Sequence, residues 1–145
     1  MEKGISIDRL IKKTIENEKR LPDFMGGIKL TNPKPQLKIE IEYNEYFDLV
    51  GVIDCYDEGK VFEFKTGKMT SMDYLKSYQT KLYAYLLTKK NYEVKEIIVI
   101  RFNQKENISD WAKMFFSEEI NEQAKNFIDS IAPEIYQFFT QKGLI

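Results

Sequence analysis

Asp54, Glu63 and Lys65 are the residues whose types and spacing could do chemistry on a phosphate. Asp54 closes one apolar run, and Glu63-Phe64-Lys65 lies in the next. Between the runs, Tyr56-Asp57-Glu58-Gly59-Lys60 reads as a tight turn in which Gly59 takes a positive φ. A hairpin centred on Glu58-Gly59 pairs Asp57 with Lys60, Tyr56 with Val61, Cys55 with Phe62 and Asp54 with Glu63. Opposed residues of an antiparallel pair share a face, with Cβ atoms about 4.5–5.5 Å apart. The strand period adds Lys65 to that face and turns Phe62 and Phe64 to the other. Two carboxylates at about 5 Å repel by roughly 3 kcal/mol at an effective dielectric near 20, and one lysine answers only one of them. A hard divalent cation offsets both, because Mg²⁺ takes carboxylate oxygens and keeps several waters. Such a site can generate a hydroxide nucleophile and stabilise charge growing on a phosphate. Lys65 would position or activate the water, or lend charge to the transition state. The same residues also fit a surface hairpin with solvated acids and a weak exposed ion pair.

The residues around the triplet favour the first reading. Gly51-x-x-Asp54, then hydrophobic-Glu63-hydrophobic-Lys65-Thr66-Gly67, then Gln79-x-x-x-Tyr83-Ala84-x-x-Leu87 resemble the PD-(D/E)XK nuclease superfamily. The likeness is greatest to the branch of the RecB nuclease domain and the RecB-like exonucleases of CRISPR systems. It implies Asp54 and Glu63 as metal ligands, the Phe64 carbonyl as a further ligand, and Lys65 as the catalytic lysine. Gln79 and Tyr83 are implied to pack over the site and meet the substrate, and Lys68 is expected to join them. Mg²⁺ or Mn²⁺ is the implied cofactor, and DNA the implied substrate and partner. The implied activity is exonuclease-like cleavage in recombination, repair or mobile-element processing. Many members of the branch add an upstream histidine ligand, but this chain has no histidine; Glu16 is the substitute chosen. A four-cysteine iron–sulfur cluster, found in some members, is excluded by the single Cys55. The missing histidine keeps a second reading open: a nuclease-derived domain that binds nucleic acid or a partner protein without cutting. A third is a subunit acting with a helicase or another recombination or adaptation protein.

Residues 1–145 read as one domain, long enough to bury a core without disulfides. A lone cysteine fits a reducing, cytoplasmic setting. The start, MEKGISIDRLIKK, lacks the apolar stretch of a signal peptide, and no apolar run reaches membrane-spanning length. A net charge of −1 does not point to nucleic acid. Local clustering is a better guide: Lys65, Lys68, Lys76, Lys81, Lys89 and Lys90 interleave with Tyr74, Tyr78, Tyr83 and Tyr85. An amphipathic helix with a solvated lysine face explains that pattern equally well.

The elements that must position these residues follow from periodicity. Ile7, Leu10, Ile11 and Ile15 have helical spacing over 6–20, with Ser6 as N-cap. Gly26-Gly27 and Asn32-Pro33-Lys34-Pro35 predict a loop. Residues 36–43 alternate strictly, with Leu37, Ile39 and Ile41 inward, which predicts a half-buried strand. A turn at Asn44-Glu45 leads to a strand over 46–54 that delivers Asp54, with Gly51 admitting a close neighbour. Thr66-Gly67 ends the next strand. A helix over about 71–90 follows, capped by Thr70 with Asp73, with Leu75, Tyr78, Leu82 and Leu86 along one stripe and Asn91 at its end. The run Ile97–Ile100, within 94–102, predicts a strand covered on both faces and parallel or mixed with its neighbour. Residues 103–110 read as a polar loop, and Trp111, Met114, Phe115 and Phe116 as a short strand packed on the core. A closing helix begins near Ser117, and Pro133 kinks it or starts another. The order αβββαβ(β)α predicts an α/β fold: a central mixed sheet flanked by helices, the core the resemblance implies, restriction-endonuclease-like.

Overall fold

A computed structural model describes residues 6–103, 105 and 108–145. Its elements are α1 (Ile7–Glu18), a 3-10 turn (Asp23–Met25), β1 (Lys34–Glu42), β2 (Asp48–Asp57), β3 (Lys60–Lys65), α2 (Ser71–Leu75), α3 (Tyr78–Lys89), β4 (Glu96–Asn103), β5 (Ile108–Phe115) and α4 (Glu118–Gln141). The strands form one five-stranded sheet in sequence order. Every neighbouring pair is antiparallel except β3 and β4, which are parallel across the α2–α3 crossover. The fold is therefore α/β, a mixed sheet flanked by helices, as the periodicity predicts. Among the described residues no helix is long and apolar enough to cross a membrane.

Each sheet face has its own core. On one face Ile39, Ile53, Val61, Ile97 and Val99 pack with Ala84 and Leu87 of α3. On the other, Cys55, Phe62, Ile98 and Ile100 pack with Ile11 and Ile15 of α1 and with Leu21, Met25 and Leu30. The β4 run Ile97–Ile100 feeds both in alternation, which is why it is apolar throughout. Alternation also holds in β1, where Ile39 is buried between the exposed Lys38 and Glu40. α1 starts where expected, with the Ser6 hydroxyl accepting from the Arg9 amide at 3.2 Å. α3 ends in a Schellman motif: Asn91 is left-handed (φ 66), and the Tyr92 and Asn91 amides donate to the Leu87 and Thr88 carbonyls.

Several boundaries differ from the expectation; β2 runs Asp48–Asp57 rather than 46–54, and β4 Glu96–Asn103 rather than 94–102. The helix expected over 71–90 is two helices. Ser77 is extended (φ −68, ψ 158), and its hydroxyl donates to the Tyr74 carbonyl at 2.6 Å. The buried Thr80 hydroxyl donates to the Leu75 carbonyl at 2.9 Å, so side chains occupy acceptors that helix amides would use. β1 begins at Lys34 and pairs through Pro35, since an edge strand tolerates a missing donor. The loop expected over 103–110 gives way to β5 at Ile108, and of its residues Gln104, Glu106 and Asn107 lie outside those described. Ala112 and Met114 of β5 face the core, whereas Trp111 and Phe115 are 64% and 69% exposed rather than packed. Finally, α4 continues through Pro133 as one helix.

Candidate active site

The β2–β3 turn has Glu58 and Gly59 both at positive φ (44 and 94), the left-handed geometry of a two-residue hairpin loop. The ladder runs Asp57↔Lys60, Tyr56↔Val61, Cys55↔Phe62 and stops there. Asp54 and Glu63 are not ladder partners, contrary to the simple hairpin. Their side chains bond across the opening instead: the Asp54 amide donates to Glu63 Oε1 at 3.3 Å, and the Phe64 amide donates to Asp54 Oδ2 at 2.7 Å. On the other side of Asp54, β1 pairs Leu37↔Ile53 and Pro35↔Cys55 and skips Gln36, which is left-handed at φ 50. Ile53 belongs to the core under α3, and Cys55, two residues on, to the core under α1. Regular period 2 would put both on one face. The strand pair turns over at Gln36 and Asp54, and such irregularities re-aim a side chain.

Glu63 and Lys65 follow the regular alternation of β3 toward α3. Lys65 Nζ donates to Gln79 Oε1 at 2.7 Å, and Gln79 Nε2 donates to the Tyr83 hydroxyl at 3.1 Å. Tyr74 stands beside the same amine, its ring centroid 5.4 Å from Nζ. Asp54, Glu63, Phe64, Lys65, Gln79 and Tyr83 thus line one cleft of about 210 Å³. α3 can approach because Gly51 has no side chain: a Cβ there would meet Leu86 Cδ1 at 2.7 Å and the Tyr83 ring at 3.0 Å. Gly67 similarly lies under the Tyr74 hydroxyl.

Burial and Asp54's charge push Glu63 up to about 9, and burial also raises Asp54 despite the Phe64 amide. Among the described residues no ion pair joins Lys65 to either acid; its charge offsets their repulsion only in part, and Glu63 keeps its proton. Cys55 beside them is buried, with its thiol pushed up to about 12, and is chemically quiet.

α1 contributes a different acid from the one chosen. Asp8, Ile11, Lys12 and Ile15 face the cleft, and the Asp8 charge pushes Asp54 further up. Glu16 is exposed, pairs with Lys12 at 3.8 Å and does not line the cleft. The signal was available: Asp8 precedes the buried Ile11 and Ile15 by three and seven residues, on their face. Lys68 is exposed and also outside the cleft lining, although its carbonyl accepts from Arg101 Nη1 at 3.1 Å. Two polar anchors lie outside the sequence expectations. Arg101, 7% exposed, pairs with Asp110 at 2.5 Å, and Asp110 accepts from the Ser71 amide and hydroxyl at 2.9 and 2.6 Å. Buried Asp57 accepts from the Thr31 and Asn32 amides at 3.0 and 2.7 Å, tying the loop before β1 to the hairpin.

Among the described residues, no group of three or more acid, cysteine or histidine side chains could hold a metal. Two adjacent carboxyl groups, one keeping a proton that a metal would displace, nevertheless fit a hard cation that keeps much of its water, as Mg²⁺ and Mn²⁺ do.

No family model matches the chain, and no curated protein matches it. Among solved structures, a proposed exonuclease from Eubacterium rectale superposes with a TM-score of 0.52 at 13% identity, over 94% of this chain and 53% of that one. SSO0001 gives 0.44 at 16% identity, over 82% of this chain and 54% of that one, and carries no weight here. The chain spans about half the length of both. The first likeness speaks for the fold alone, and the fold is a restriction-endonuclease-like α/β core.

Proposed function

We propose that the chain is a metal-dependent nuclease hydrolysing DNA phosphodiester bonds, exonuclease-like, of the RecB-like branch of the PD-(D/E)XK superfamily. One observation carries the reading: Asp54 and Glu63 are held side by side in one cleft, close enough that Glu63 keeps a proton, beside a lysine fixed by Gln79. Asp54, Glu63 and the Phe64 carbonyl would hold Mg²⁺ or Mn²⁺, which supplies Lewis-acid chemistry at the phosphate. Lys65 donates to the attacking water or a phosphate oxygen, its amine oriented by the Gln79 carbonyl. The Tyr83 hydroxyl, held by the Gln79 amide, meets the substrate from the helix side. Action alongside a helicase or another recombination or adaptation protein belongs to the same proposal.

Purified protein should cleave single- or double-stranded DNA in Mg²⁺ or Mn²⁺. Asp54→Ala should abolish cleavage, and Lys65→Ala should slow it about 10²–10³-fold, both with an unchanged circular dichroism spectrum. Wild-type protein that cuts neither DNA in either metal would contradict the proposal. Among the described residues no group of three or more acids, cysteines or histidines is gathered to hold a metal, which favours one other reading, a domain that binds nucleic acid or a partner protein without cutting. Binding that is salt-dependent yet indifferent to chelator would select it.

A further inference from the structure

A second cavity, about 330 Å³, opens beside the acid cleft between β2, α3 and α4. Leu49, Leu82, Leu86, Ile128, Tyr78 and Phe127 make it apolar. Gln79 and Tyr83 line both spaces, so a wall one side chain thick separates the polar cleft from the apolar cavity. Tyr78 stacks on Phe127 with centroids 4.2 Å apart, yet remains 48% exposed at the rim.

We infer that this cavity receives an unpaired nucleobase of the strand whose phosphate lies at Asp54, Glu63 and Lys65, which makes the substrate single-stranded. The inference rests on the proposal that nucleic acid occupies the acid cleft. A nucleotide carries a charged phosphate and a flat, apolar-faced base a sugar apart, and the two spaces present the matching pair of environments on either side of Gln79 and Tyr83. Lys65 supplies a cation in the cleft, and Lys81 a second, its amine 5.4 Å from the ring of Tyr78, which lines the cavity. These suit a phosphate backbone passing the rim with its bases turned inward, the pattern of stacking platforms for single strands. A base within a duplex is already paired and stacked, and would have to leave the helix to enter.

The test is a titration of the full chain with a single-stranded oligonucleotide carrying 2-aminopurine, in chelator so that nothing is cut. Wild-type protein should change the fluorescence of the base and bind the strand better than the matching duplex or an abasic strand. Tyr78→Ala, and Val50→Trp filling the cavity from the exposed face of β2, should weaken binding about 5- to 150-fold, the range of one base stack. Tyr78→Phe, which keeps the ring, should bind as wild type; thermal melting checks that each variant folds. Unchanged binding by both Tyr78→Ala and Val50→Trp, or equal binding of normal and abasic strands, would overturn the inference. So would a concentration-dependent dimer, seen by sedimentation, that Val50→Trp dissolves. Cleavage is read separately: a wild type that binds with these preferences but cuts nothing defeats the nuclease reading alone. A wild type that cuts while the cavity variants bind normally defeats the base pocket alone.

Discussion

Glu63 has 2% of its surface exposed and Asp54 beside it, and it titrates at about 9 instead of the ordinary 4.5. Between those values the folded chain holds a proton that the unfolded chain has released. Stability must then fall as pH rises from about 4.5 to about 9, and level off above. Metal-free protein should show a melting temperature that declines across that window, and Glu63→Gln should flatten the decline. Saturating Mg²⁺ or Mn²⁺ should offset the loss most at the alkaline end, where the carboxylate is free to bind. A melting profile for wild type as flat as that of Glu63→Gln would contradict the burial and charge argument. At this scale the gathering of Glu63 and Lys65 in one cleft was legible from period 2, whereas Asp54 reaches it through the break in the ladder and not by pairing with Glu63. The turnover at Gln36 was not legible: a left-handed glutamine inside an alternating strand leaves no mark in a pattern of apolar and polar residues. The helix turns Asp8 and not Glu16 to the cleft, a matter of phase that the buried Ile11 and Ile15 fix.

The elements are tied together around the cleft by polar anchors as much as by the two cores. Asp110 on β5 holds Arg101 of β4 and the start of α2 at Ser71, while Arg101 reaches the Lys68 carbonyl in the loop after β3. Burial alone would raise Asp110, but the Ser71 donors and the Arg101 guanidinium outweigh it and hold the carboxyl below its ordinary range. Asp110→Ala leaves a buried guanidinium without its partner, and should cost about 3–5 kcal/mol in denaturant unfolding. A loss under about 1 kcal/mol would show that water replaces the pair. Nothing in the local sequence distinguishes Asp110 from its polar neighbours, since its partners lie 9 and 39 residues away. The same holds for Asp57, which reads as a turn residue and serves as the acceptor for a loop 25 residues earlier. Helix α3 was legible from its stripe, but the break at Ser77 depends on hydroxyls competing for carbonyls, which apolar periodicity does not record.

At the scale of the whole molecule, the mixed sheet in sequence order follows from short connections between antiparallel neighbours and one helical crossover between β3 and β4. What the sheet accomplishes is placement. The β2–β3 hairpin opens where its ladder ends, the parallel β3–β4 pair supports the back of the acid cleft, and α1 and α3 close its two sides. A net charge of −1 suits such a molecule if part of its acid is committed to a cation and the lysines around α3 face the strand. The ion proposed to lie between Asp54 and Glu63 is the feature on which the proposed activity depends. Anomalous diffraction from crystals soaked in Mn²⁺ measures it directly. A peak between the carboxylates of Asp54 and Glu63, lost in Glu63→Ala, is the predicted result. Well-ordered carboxylates with no ion between them at saturating Mn²⁺, or an ion bound elsewhere, would contradict it.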